Sequence, residues 1–399
     1  MNGRTRAAIP RGERVAWVVG AVGAVLFAIA AYADRAQAFQ SYLFVWWFLL
    51  GIPLGSVAML AVHNLTGGGW GEVIRAPLEA AARLLPLSLL LVVPLLFGLP
   101  DLYAWARPDA AADPLLRAKR WYLSVDFFLI RNAVYFAAWL VLGHWLRKWA
   151  FARGAQATLA QKERLRAISA IGLLVYAGTV TFAGVDWIMS LSPRWYSTTF
   201  GFLVGIGQTM CAFAFAIVCA AWRLRDAVGS QANLPSTAPE SSRSPDDVPG
   251  LFQDLGNLLL MFVMTWAYLA FTQYLITWAE DLPNEIAWYL PRVLTSWHDV
   301  ALLLVAIHFA LPFLVLLSRR AKRVPRALGT LAAVLLFAHL VDAFWLVVPA
   351  HRPHGITLAW SDVPAIAALC GIALAAFLHV ARDTAPAAIR AATRTPDHG

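Results

Sequence analysis

The sequence predicts an all-α, polytopic integral membrane protein of about ten transmembrane helices. Three observations carry that prediction. The 399 residues are 60% hydrophobic and only 14% charged, more apolar surface than a soluble globular domain can bury. Apolar runs of about 20 residues, the length that crosses a bilayer as a helix, recur along the whole chain. The eighteen Trp and ten Tyr suit the aromatic belts of membrane–water interfaces. The net charge of +9 does not point to nucleic acid, because the basic residues gather in alternate loops, a topology signal. The basic N-terminus runs straight into a stretch long enough to span, without a cleavable-signal pattern.

The spans follow in order. The first covers 15–33, after Arg4, Arg6, Arg11 and Arg14, and carries the close-approach pattern Gly20-x-x-Gly23. The second, 42–63, holds Gly51-x-x-x-Gly55 and Pro53 and ends at His63. The third, 81–99, contains Pro86 and Pro94, each able to kink a helix and release a carbonyl. The fourth, 122–146, carries Asp126, Arg131 and His144. The fifth, 167–190, ends on Asp186, just before Ser192-Pro193 stops the helix. The sixth, 199–222, opens on Gly201-x-x-x-Gly205. The seventh, 256–279, ends in Gln273, Tyr274 and Glu280. The eighth, 299–318, opens on His298 and Asp299 and holds His308 and Pro312. The ninth, 328–349, holds His339 and Asp342. The tenth covers 363–382.

The division expected from this layout is an N-terminal membrane half of six helices at 1–225 and a linker at 226–250. A C-terminal half of four helices follows at 251–382, then a disordered tail at 383–399. The linker is Ser-, Pro- and Asp-rich and lacks periodicity. Orientation follows from Lys and Arg in short loops. Arg147, Lys148, Arg153, Lys162, Arg164 and Arg166 follow the fourth span. Arg319, Arg320, Lys322, Arg323 and Arg326 follow the eighth. With ten spans these share a side with the N-terminus, which places both termini in the cytoplasm. The loop with Arg107, Arg117, Lys119 and Arg120 is the one exception.

Intramembrane charges are costly and mark functional sites by default. Arg131 needs a partner at its depth, and Asp186 or Asp126 can supply one. A structural ion pair that orders the bundle fits equally well. His339 and Asp342, three residues apart, share a helix face, and His308 lies at similar depth. Such a group can hold and pass a proton near neutral pH. The proton-route candidates are therefore Asp126, Arg131, Asp186, Glu280, His298, Asp299, His308, His339 and Asp342. The plainer alternative is interhelical hydrogen bonding, which is preferred for His63, His144 and His379. Trp187, Trp195 and Tyr196 read as interfacial aromatics. The three cysteines, Cys211, Cys219 and Cys370, lie in apolar runs and form no iron–sulfur or haem-attachment motif. No metal site or catalytic residue is expected.

Three stretches carry a resemblance. They are Asp186-Trp187-x-Met189-Ser190-Leu191-x-Pro193-x-Trp195-Tyr196-Ser197-Thr198; Trp266-Ala-Tyr268-Leu-Ala-Phe271-Thr-Gln273-Tyr274-Leu-Ile276-Thr-Trp278; and Tyr122-Leu-Ser-Val-Asp126-Phe127-Phe128-Leu-Ile130-Arg131. With the ten-helix layout they resemble the NrfD-like membrane subunits of bacterial respiratory complexes. The closest likeness is to the second of two such subunits in alternative complex III, a quinol:cytochrome c or quinol:oxidase electron-transfer assembly. One position departs: Ser192 stands where the family often has Glu, so any role of that Glu does not transfer. The resemblance implies two four-helix bundles with two peripheral helices and location in the bacterial inner membrane. It also implies a sister NrfD-like subunit, an iron–sulfur subunit and multihaem cytochrome c subunits as partners. It brings no haem to this chain and leaves quinone or quinol as the candidate small molecule. The function implied is a quinol oxidoreductase subunit of the respiratory chain, contributing membrane architecture and proton conduction. A secondary transporter, built from broken helices and a central linker, is the alternative.

Overall fold

The computed structural model describes residues 11–154, 156–228 and 248–392. They form an all-α protein without strands among the described residues. Among the described residues nine helices are long and apolar enough to cross a membrane, and a bent pair brings the number to ten if it is read as one span.

The first helices are α1 (Arg11–Ala33) and α2 (Arg35–Thr66). Between them, Asp34 caps α2 by accepting from the backbone N–H of Gln37 at 3.0 Å. The third span is the bent pair, α3 (Gly69–Ala82) and α4 (Leu85–Phe97), meeting at 41°. The expected single helix at 81–99 is therefore wrong in its start. Pro86 stands at the beginning of α4 and cannot donate back into α3, so the chain breaks at Arg83–Leu84. Alone, α4 extends only about 20 Å; the pair is long and apolar enough to cross only when its two helices are taken together.

Next come α5 (Val125–Lys148), α6 (Leu159–Trp187) and α7 (Phe200–Val228). A Thr158/Gln161 capping box starts α6. Then follow α8 (Val248–Glu280), the short α9 (Pro283–Leu294), α10 (Trp297–Leu317), α11 (Pro325–Val347) and α12 (Asp362–Ala392). Residues 229–247, most of the expected linker, lie outside the described residues. The tail expected to be disordered from 383 is helical as far as Ala392. Its Ala-rich composition favours that extension. Residues 393–399 lie outside the described residues.

Packing sorts the spans into two groups of four and a peripheral pair. The α2, α3–α4, α5 and α6 spans pack together, and α7, α8, α10 and α11 do likewise. The groups join broadly, through α7 against α2, α6 and α3 and through α2 against α11. On the outside, α1 lies along α12. A Cβ on Gly23 would run into the backbone of Ala367 and Ala368, so glycine sets that approach. The first span, α1, rests on the last, and α7 packs against both halves, on α2, α3 and α6 as well as on α8 and α11. The centre is α2, 94% buried over its most apolar window, whereas α1 is 22% buried. A helix apolar all round belongs in a core; one whose apolar residues stay exposed faces lipid.

Candidate functional site

At the centre of the second group the structure brings together three of the expected residues, His308, His339 and Asp342. All three are buried. His308 sits near the middle of α10, in a π turn at Val305–Ala310. Pro312, one turn later, has no N–H to return to the His308 carbonyl. A π turn adds a residue to the helical turn and so re-aims the side chains around it, a feature common at functional sites. The His308 and His339 rings lie 5.8 Å apart, centroid to centroid. His339 Nδ1 is 3.8 Å from Asp342 Oδ2. That is too long for a hydrogen bond but close enough for the carboxylate to stabilise an imidazolium.

Neighbouring helices complete the group. From α8, the Trp266 ring packs against His308 at 4.0 Å between centroids, tilted by 50°. From α7, Gly207 leaves room for His339, since a Cβ there would stand 3.0 Å from His339 Cε1. From α2, Phe48 closes the side at 6.1 Å from His339. Neither ring nitrogen of His308, nor Nδ1 of His339, has a hydrogen-bond partner among the described residues. Imidazole carries a donor and an acceptor on opposite nitrogens. Two such rings and a carboxylate in an apolar core can take up a proton on one side and release it on the other.

A second polar group orders the other bundle. Arg131 donates from Nε and Nη2 to both carboxylate oxygens of Asp186, at 2.9 and 2.8 Å. Tyr135 adds a bond to Oδ2 at 2.9 Å. The guanidinium also reaches the Tyr122 carbonyl at 2.9 Å and lies over the Tyr122 and Phe127 rings. Arg131 stands six residues into a helix that begins at Val125, so it lies about 9 Å in, shallower than a start at 122 implies. Asp186 is fully buried and occupied on both oxygens. A bidentate pair of this kind fixes geometry; of the two readings open for it, the structure favours the ordering ion pair.

Asp126 is not the partner: it is exposed in the first turn of α5. Glu280, His298 and Asp299 are exposed at helix ends. None of these four side chains hydrogen-bonds or ion-pairs among the described residues. The expected layer of charges is thus one buried pair plus scattered surface groups, separate from the central histidines.

Other expectations change as well. Trp187 and Trp195 are core residues, not interfacial ones. Trp187 donates to Asn132 at 2.6 Å and packs on Trp46 and Phe128, while Trp195 stacks on Trp288 at 4.5 Å. Tyr196 is exposed. His63 does not bridge helices: its Nε2 lies 3.1 Å from the Gly68 carbonyl, which closes the α2–α3 turn. His379 lies 3.4 Å from the buried Glu13, joining α12 to α1.

Several buried polar residues were not singled out in the sequence. Tyr176 of α6 hydrogen-bonds the Gly205 carbonyl at 3.1 Å, beside buried Gln208 and Thr209 of α7. Arg292 of α9 is held by the carbonyls of Trp288, Trp345 and Leu346 and lies 3.5 Å over the Trp288 ring. Asp362 receives Ser41 at 2.6 Å and Arg352 at 3.2 Å. Outside the spans, burial pushes His351 down to about 4, helped by the charges of Arg352 and Arg107. The Tyr176–Gly205, Arg292–Trp345 and Ser41–Asp362 contacts join residues 29, 53 and 321 positions apart, so periodicity carries no signal of them. No group of His, Cys, Asp and Glu among the described residues has metal-binding geometry. No family model matches this sequence, and no curated protein matches it.

Proposed function

We propose that this chain is a membrane subunit of a bacterial respiratory quinol:acceptor complex of the alternative complex III type. In this reading it sits in the inner membrane with both termini in the cytoplasm. It braces the assembly and conducts protons through His308, His339 and Asp342. The observation that carries the proton role is the buried His308–His339–Asp342 group, in which both His308 nitrogens and His339 Nδ1 have no hydrogen-bond partner among the described residues. Apolar burial of three ionisable side chains is expensive and is retained where charge must move. The complex itself rests on the NrfD-like resemblance and on two four-helix groups with an outer pair.

Quinol oxidation releases two protons and two electrons. The electrons require redox centres, which belong to an iron–sulfur subunit and multihaem cytochromes. A sister NrfD-like subunit completes the membrane part. This chain contributes the proton side. His339 takes a proton on one nitrogen and gives one up from the other, and Asp342 stabilises the charged ring between those events.

Two measurements test this reading. A tagged chain extracted in mild detergent is expected to bring down a red, haem-containing complex with an iron–sulfur protein. A colourless, lone protein that moves solute by itself overturns the assignment and favours a transporter. Within the complex, Asp342→Asn is expected to leave assembly intact while lowering quinol-dependent proton release roughly tenfold or more. Unchanged proton release in that variant removes the proton role.

A further inference from the structure

A cavity of about 380 Å³ opens where α2, α3, α4 and α5 meet. It lies away from the central histidines, toward the end of α5 at Lys148. The break at Arg83–Leu84 turns α3 off the line of α4 and creates the notch. One half of the cavity is basic. Arg83, His144 and Arg147 border it, together with Arg153 and Glu79. Arg153 is already engaged, with Glu79 and with Asn64 at 3.0 Å. The side chains of Arg83 and Arg147 make no hydrogen bond or ion pair among the described residues. Three guanidinium groups therefore face one carboxylate. The other half is apolar, walled by Val57, Leu60, Leu85, Leu140 and Leu146. Beyond it the outer surfaces of α4 and α5 continue as exposed Leu89, Leu90, Val93 and Val141.

We infer that this cavity binds the headgroup of an anionic phospholipid, with its acyl chains lying along α4 and α5. The basic half stands at the break between α3 and α4 and at the last turn of α5, and the apolar half leads on between α2, α4 and α5. Basic pockets between transmembrane helices recognise anionic headgroups in this way. Arg83 and Arg147 bind the phosphate: guanidinium groups match phosphate oxygens in geometry and charge. The cavity falls within the size range of specific small-molecule sites. A neutral or zwitterionic headgroup leaves the two free cations uncompensated, so the site selects for net negative charge.

The test is native mass spectrometry of the full-length chain, with its copurifying subunits, in mixed micelles. Phosphatidylglycerol and phosphatidylethanolamine are supplied in turn. Retention of phosphatidylglycerol over phosphatidylethanolamine is the expected result. Arg83→Gln with Arg147→Gln is expected to weaken that retention about 25-fold, about fivefold for each arginine. Neither side chain has a hydrogen-bond or ion-pair partner among the described residues, so the fold tolerates the change. Gly143→Leu gives an independent test of the apolar half, since a Cβ there would stand 3.2 Å from Leu85 Cδ1 and 3.9 Å from Val57 Cγ2. It is expected to expel lipid with both arginines present. Equal retention of the two lipids overturns the inference, as does undiminished phosphatidylglycerol in the double variant. Millimolar inorganic phosphate that displaces the lipid completely also overturns it, since the acyl chains would then contribute nothing.

Discussion

Arg131 and Asp186 form a buried, two-pronged ion pair within the spans, and the fate of either alone is predictable. Removing one partner of a buried pair strands the other charge and costs about 3–5 kcal/mol. Arg131→Gln is therefore expected to lower the unfolding temperature in detergent sharply, read by the fluorescence of the many tryptophans. Arg131→Lys keeps the charge but loses the two-pronged geometry, and an intermediate loss is expected. If both variants unfold like the parent, the pair does not order the bundle. His351 sets a pH dependence. Its folded value is about 4 against an ordinary 6.5, so the unfolded chain binds the extra proton between those values. Stability from this residue is complete above about 6.5 and is lost as pH falls toward about 4. His351→Gln is expected to flatten that decline, measured as unfolding temperature against pH; an unchanged slope assigns the decline to other groups.

The glycines decide how closely the helices approach one another. A Cβ on Gly55 would collide with the Gln208 carbonyl of α7, whereas one on Gly178 of α6 would meet nothing within 4 Å. Gly55→Ala is therefore expected to destabilise the α2–α7 contact, while Gly178→Ala gains about 1 kcal/mol of helix propensity. Thermal unfolding of the two variants should move in opposite directions. Sequence patterning recognised both Gly51-x-x-x-Gly55 and Gly201-x-x-x-Gly205 as close-approach motifs. Only the structure separates their glycines: Gly51 and Gly55 face Gln208 and Gly201 faces Thr181, but Gly205 has open space. Spacing states that a backbone is bare on one face. It does not state whether a neighbour uses that face.

Across the whole molecule, α1 and α12 stand apart from the two four-helix groups. Gly23→Leu is expected to part α1 from α12 without disturbing the core. Trypsin cleavage after Arg35, the first residue of α2, should then accelerate while the main unfolding transition moves little. A large shift of that transition instead makes α1 part of the core. The same scale holds the candidate site. His308 comes from α10, His339 and Asp342 from α11, Trp266 from α8 and Gly207 from α7. The His339–Asp342 pairing was legible as an i,i+3 spacing, and His308 as a histidine at matching depth. Trp266 was visible only as part of a family-like stretch, and its place over His308 was not.

The sequence by itself determined the class of molecule and the place of nearly every long apolar helix, because the bilayer imposes a local rule. Each crossing must be apolar over about 20 residues and must satisfy its own backbone. That rule is written within each stretch of chain. It failed only at α3–α4, where Pro86 divided one crossing into two helices. Tertiary structure alone decided which charges pair, which tryptophans leave the interface for the core, and where basic residues border a cavity. Arg131 finds Asp186 instead of the nearer Asp126, and Arg153 finds Glu79 and Asn64. These choices depend on helix rotation and on which helices become neighbours. Both are set by packing summed over the whole bundle, which no single stretch encodes.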